Sequence, residues 1–180
     1  MTKSKQLALV FLLIFLAAMS RLVIHPFNFT PIIAMSIFAG FYINKKYFVI
    51  VPLLAMFVGD FFIGFYDFKL MFPVYLSIAI TFFIAHVMRS NKKWYAIFGV
   101  SITSSFVFFI LTNLAVWYFS GWYSQNFIGL QECFVAAIPF FRNSLVGDLF
   151  YSFLFFGVYE TVSILSISVS KKLNFKNQEI

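Results

Sequence analysis

Residues 94–117 read WYAIFGVSITSSFVFFILTNLAVW, a run without a single Asp, Glu, Lys or Arg. Arg89-Ser90-Asn91-Lys92-Lys93 precedes it, and Trp94 and Tyr95 open it. About 20 apolar residues cross a hydrocarbon core of about 30 Å, and aromatic side chains collect at its two faces. The stretch therefore predicts a membrane-spanning helix over about 94–118 with a basic turn on one side.

The same reading extends in both directions. Of 180 residues 62% are hydrophobic, 29 are Phe and 11% are charged, against about a quarter charged in an ordinary soluble domain. So much apolar surface has no place in water, and the expected solvent is lipid. Helices are expected at about 6–24, 31–43, 47–65, 70–88, 94–118 and 143–169, giving an all-α integral membrane protein, a six-transmembrane-helix bundle in one domain over 1–180. Residues 1–20 resemble a signal peptide, with Lys3 and Lys5 ahead of an apolar run. The run continues nearly to Ile24 without a clean A-x-A site, which favours a retained first helix over a cleaved one.

Two segments depart from this regularity. His25-Pro26-Phe27-Asn28-Phe29-Thr30-Pro31 holds two prolines and forbids a continuous helix, so it reads as an outer turn with Pro31 opening the next helix. That second helix is short for a span, so either the bilayer thins beside it or the preceding loop dips into the protein. Ser36 and Gly40 form a small-xxx-small pair that lets another helix approach closely. Residues 127–141 are apolar but too short to cross and contain Glu132 and Pro139. They read as an interfacial or re-entrant segment on the outer side, and 170–180 as a polar cytoplasmic tail.

Charge position gives orientation. Lys3, Lys5, Lys45, Lys46, Arg89, Lys92, Lys93, Lys171, Lys172 and Lys176 share one side of this topology, and Arg21, Lys69 and Arg142 complete the thirteen basic residues on the other. The positive-inside rule makes the richer side cytoplasmic, with both termini there and the protein in the inner (plasma) membrane. The net charge of +7 is thus explained without nucleic acid, for which no basic stripe with interleaved aromatics is present. A lone Cys133 allows neither an intrachain disulfide nor a cysteine metal cluster.

An ionisable side chain in lipid needs a partner or a wet cavity, which makes the few charged residues informative. Asp60 and Asp148 are expected at similar depth in the outer third, bracketed by Arg21 and Arg142. Asn28, Asn113, Asn143 and His25 are available to complete their hydrogen bonds. Two readings follow: a structural ion-pair network supported by Arg21 and Asn143, or an outward-facing pocket in which Asp60, Arg142, Asp148, Asn113 and Asn28 hold a small ligand and Trp117 packs its apolar part. No P-loop, H-E-x-x-H, G-x-S-x-G or dinucleotide fingerprint occurs, so no enzyme activity, metal or cofactor is expected.

RLVIHPFNFTPIIA (21–34), GDFFIGFY (59–66), TNLAVW (112–117) and PFFRNSLVGDLFY (139–151) resemble a family of small uncharacterised bacterial integral membrane proteins. More loosely, the chain resembles the substrate-binding components of energy-coupling-factor transporters. That resemblance implies a vitamin-like ligand in an outward pocket, with a separate membrane scaffold and ATPase subunits as partners. The A-x-x-x-A pattern of their first helix is missing, since Ala8, Ala17 and Ala18 are differently spaced, and Ser36 and Gly40 offer another contact. The two functions carried forward are small-molecule uptake and a non-transporting membrane scaffold or assembly protein.

Overall fold

The computed structural model describes residues 3–21, 28–43 and 46–176. They form α1 (Lys3–Ser20), α2 (Ile32–Tyr42), a 3-10 turn (Lys46–Val49), α3 (Ile50–Ile63), α4 (Phe68–Met88), α5 (Trp94–Phe119) and α6 (Phe127–Lys176). Three helices, α4, α5 and α6, are long and apolar enough to cross a membrane, while α1, α2 and α3 are shorter apolar helices. Phe61, Phe62, Phe68 and Phe153 stand 65%, 65%, 74% and 72% exposed. Such a surface is compatible with a helical membrane protein.

Burial explains the short helix. Residues from Ile32 to Phe41 of α2 are all buried, and α2 touches each of the five other helices. A helix apolar on every side belongs at the centre. Enclosed there, its ends meet protein rather than lipid, so it need not span. The loop ahead of it also enters the bundle: the Phe29 ring lies 5.9 Å from Phe150 and 5.5 Å from Tyr151, centroid to centroid. His25, Pro26, Phe27 and Lys45 lie outside the described residues.

The small-residue pair of α2 is used within the chain. Ser36 Oγ donates to the Ile78 carbonyl of α4 at 2.7 Å, and a Cβ on Gly40 would stand 2.6 Å from the Phe82 carbonyl oxygen. Both residues are buried, which removes them as a contact for a separate scaffold.

The segmentation of the C-terminal third differs from expectation. Residues 127–141 and 143–169 are not a re-entrant piece and a separate span; they are one helix, continuing through the expected tail to Lys176. Pro139 sits inside it. Proline gives up one backbone hydrogen bond in a helix interior, but here packing bridges it: the Phe109 ring of α5 lies 5.3 Å from Phe134 and 4.7 Å from Phe141. These two half-buried aromatic contacts, at about 0.5–1.5 kcal/mol each beyond their area, offset part of the about 3 kcal/mol that an interior proline costs.

Candidate functional site

The C-terminal end of α1 brings Arg21 against α3. Its Nη2 donates to Asp60 Oδ1 at 3.0 Å and its Nη1 to the Met56 carbonyl at 3.2 Å. Tyr75 of α4 donates to the second oxygen, Asp60 Oδ2, at 2.7 Å. The Asp60 side chain is 3% exposed and that of Arg21 11%. Charge, geometry and hydrogen bonding are therefore all met within the group, as a buried pair requires. Gly59 makes the approach possible, because a Cβ there would come to 2.5 Å from Arg21 Nη1.

Asp148 of α6 is buried in a different way. Ser105 of α5 donates to its Oδ2 at 2.6 Å, and Ser144, one turn earlier on α6, adds a second side-chain hydrogen bond. One turn further on, Ser101 and Ser152 bond each other at 2.9 Å. Gly147 takes the Phe29 backbone against α6, with the Phe29 Cα 3.3 Å from where a Cβ would stand. Among the described residues the one salt bridge is Arg21–Asp60, and the side-chain partners of Asp148 are hydroxyls.

Asp148 faces a cavity that Arg21, the partner of Asp60, also lines. A space of about 230 Å³ is lined by Arg21, Asn28, Thr30, Met56, Ser144 and Asp148, together with apolar neighbours. A second space of about 250 Å³ shares Asn28, Val74, Phe108 and Ser144 with it and adds Thr112 and Asn113. Each is smaller than the roughly 300–1,000 Å³ usual for drug-sized ligands. The volume fits a small solute. No group of three or more His, Cys, Asp or Glu gathers as a metal-ligand set among the described residues.

A model of one protein family matches residues 1–170, which include every helix that builds this cavity. The chain belongs to the family of unknown function DUF6580. No curated protein and no solved structure matches it.

In this DUF6580 chain the candidate residues separate into those at the cavity and those elsewhere. Asn28, with φ of 59°, lines both spaces, and Asn113 lines the second while its Nδ2 donates to the Phe109 carbonyl at 2.7 Å. Arg142 and Asn143 are exposed and line neither. Six residues of helix carry the chain about 240° round, so Arg142 and Asp148 diverge, whereas Ser144 lies one turn from Asp148 on the same side. Trp117 is occupied in the α5–α6 turn, donating from Nε1 to the Ser124 carbonyl at 3.0 Å. It lines neither of the two spaces.

Depth also changes. Because α6 starts at Phe127 rather than Asn143, Asp148 falls beside Ser105, near the middle of α5. Thr30, Tyr75 and Ser144 are site residues that sequence reasoning missed. Ser144 had a signal, its i,i+4 spacing to Asp148; Tyr75 had none.

Proposed function

We propose that this DUF6580 protein is a six-span inner-membrane protein, with both termini cytoplasmic, that binds a small polar solute for uptake from the outer side. The observation that carries the reading is Asp148: an acid 1% exposed, on a cavity wall, with hydroxyl partners and no cation among the described residues. Arg21 and Asp60 cancel each other, which leaves Asp148 as the acid at the cavity without a cationic partner among the described residues. A buried carboxylate in lipid requires a proton or a positive ligand. The solute class that fits is a small molecule with a protonated amine or similar cationic group, which takes the place of the proton that otherwise neutralises Asp148. Arg21, Asn28, Thr30 and Ser144 supply the remaining polar wall. The sequence holds no nucleotide-binding loop, so uphill movement would draw on an ion gradient or on scaffold and ATPase partners.

The test is purification in mild detergent followed by extraction and mass spectrometry of small cations. Wild type is expected to carry a solute that Asp148→Asn lacks, and adding it back should raise the melting temperature of wild type only. Absence of any enriched solute, with no cationic candidate stabilising the protein, would sink the proposal.

Arg142 favours a second role alongside the first. It stands beside Phe141, whose ring meets Phe109, about 15 Å along α5 from the Phe119 end at 1.5 Å per residue. Its neighbours on the same face, Val135, Ile138 and Val146, are 64%, 55% and 53% exposed. An arginine left to lipid at that depth costs at least about 2.5–3.5 kcal/mol. A partner helix with a carboxylate would remove that cost, which is the scaffold or assembly reading.

A further inference from the structure

The opposite end of the bundle carries a groove that the uptake reading does not use. Its volume is about 240 Å³, and its rim holds Lys92 from the α4–α5 loop, Glu160 from α6, and Trp94. Lys92 Nζ stands 4.2 Å from the centre of the Tyr42 ring. The Tyr42 hydroxyl donates to Glu160 Oε1 at 2.9 Å. Lys92 and Glu160 do not form a salt bridge with each other, since Arg21–Asp60 is the one such pair among the described residues. The tyrosine stands between the opposite charges, its ring under Lys92 and its hydroxyl on Glu160. Below the rim the walls turn apolar, with Phe98, Phe153 and Phe156. Gly157 leaves the wall open, because a Cβ there would meet nothing within 4 Å.

This is a positive and a negative group held apart at a membrane boundary, above an apolar slot. We propose that the groove binds one zwitterionic glycerophospholipid bearing a primary amine, its phosphate at Lys92 and its ammonium at Glu160, with an acyl chain along Phe153 and Gly157. The choice of headgroup follows from hydrogen bonding. A primary ammonium has N–H donors for the Glu160 carboxylate, and a quaternary ammonium has none. A quaternary headgroup is recognised instead on free aromatic faces, and Lys92 already covers one face of Tyr42. A purely anionic headgroup would meet Lys92 but would set a like charge beside Glu160. Trp94 at the rim is the interfacial aromatic expected at headgroup level.

The experiment is native mass spectrometry of the full chain released from vesicles of equal parts phosphatidylethanolamine, phosphatidylcholine and phosphatidylglycerol with identical acyl chains. Wild type should retain the ethanolamine lipid over the other two by about tenfold, the scale of one charge-assisted hydrogen bond. Glu160→Gln should erase the preference over choline lipid, Lys92→Ala should lower retention of every lipid, and Gly157→Leu should block the slot with the charges intact. Equal retention of the three lipids by wild type, or variants with unchanged preference, would overturn the proposal. Should a variant fail to fold, competition on wild type decides: dihexanoyl phosphatidylethanolamine is expected to displace bound lipid and its choline counterpart is not. Equal displacement by both overturns the assignment.

Discussion

Nη2 of Arg21 lies 3.0 Å from Oδ1 of Asp60, joining the end of α1 to the end of α3 through a buried ion pair. Removing one member leaves the other charged and without its partner, a loss of about 3–5 kcal/mol in buried pairs. Asp60→Asn and Arg21→Met should each lower the thermal stability of the detergent-solubilised protein by an amount in that range. The double variant should be more stable than the sum of the singles implies, because no lone charge remains. Additive losses in the double-mutant cycle would show that the pair is not coupled.

Gly40 and Gly99 offer a paired test of packing. A Cβ on Gly40 would stand 2.6 Å from a backbone carbonyl of α4 and 2.7 Å from the Ala85 Cβ, while one on Gly99 meets nothing within 4 Å. Gly40→Ala should cost about 1–3 kcal/mol by overpacking. Gly99→Ala should be neutral or stabilising, by up to about 1 kcal/mol, since it raises helix propensity. Thermal unfolding followed by circular dichroism reads both.

Continuity of α6 has a topological consequence. With Cys133→Ala as background, a cysteine introduced at Asn126, ahead of α6, should react with a membrane-impermeant thiol reagent from one side of sealed vesicles, while one at Arg142, inside the continuous helix, should be shielded from it. Pro139→Ala should leave that pattern unchanged, because the helix already runs through the position. Labelling of both cysteines from one side would contradict the single crossing.

Much of the fold was legible because lipid imposes a simple rule on helix composition. Pro31 marks the start of α2, Lys93 and Trp94 the start of α5, and Asp67 caps α4 by accepting from the Lys69 N–H at 2.9 Å. Pro139 misled because a local breaker signal was weighed without the α5 aromatics that hold the helix together. That one error moved Asp148 outward and grouped it with Arg142. The candidate site was legible in part: the acids stood out because lipid makes charge rare, and Arg21 with Asp60 was named as a candidate cluster. Which acid would be paired and which left with hydroxyls depends on helix rotation, fixed by packing between segments far apart in sequence. Two Gly-Asp pairs, Gly59-Asp60 and Gly147-Asp148, perform parallel work: Gly59 admits Arg21, Gly147 admits Phe29, and each following Asp is buried.

Serine donors define a further prediction about Asp148. Ser105→Ala removes its 2.6 Å hydrogen bond and should cost about 1–3 kcal/mol as a bond to a charged or partly charged group. Ser104→Ala, on the same helix, removes a buried hydroxyl without a hydrogen-bond partner and should cost less than Ser105→Ala or stabilise. A reversed order in melting temperature would count against the assigned network.

Ser144 lines both cavities beside Asp148, which makes it the place to measure whether the site is wet and negative. In a Cys133→Ala background, Ser144→Cys should react with a small cationic methanethiosulfonate reagent faster than with its anionic counterpart. The expected ratio is about tenfold, and Asp148→Asn should abolish it, as one charge in a low-dielectric cavity implies. No modification by either reagent, or equal rates that Asp148→Asn leaves unchanged, would contradict a cavity built to receive a cationic solute.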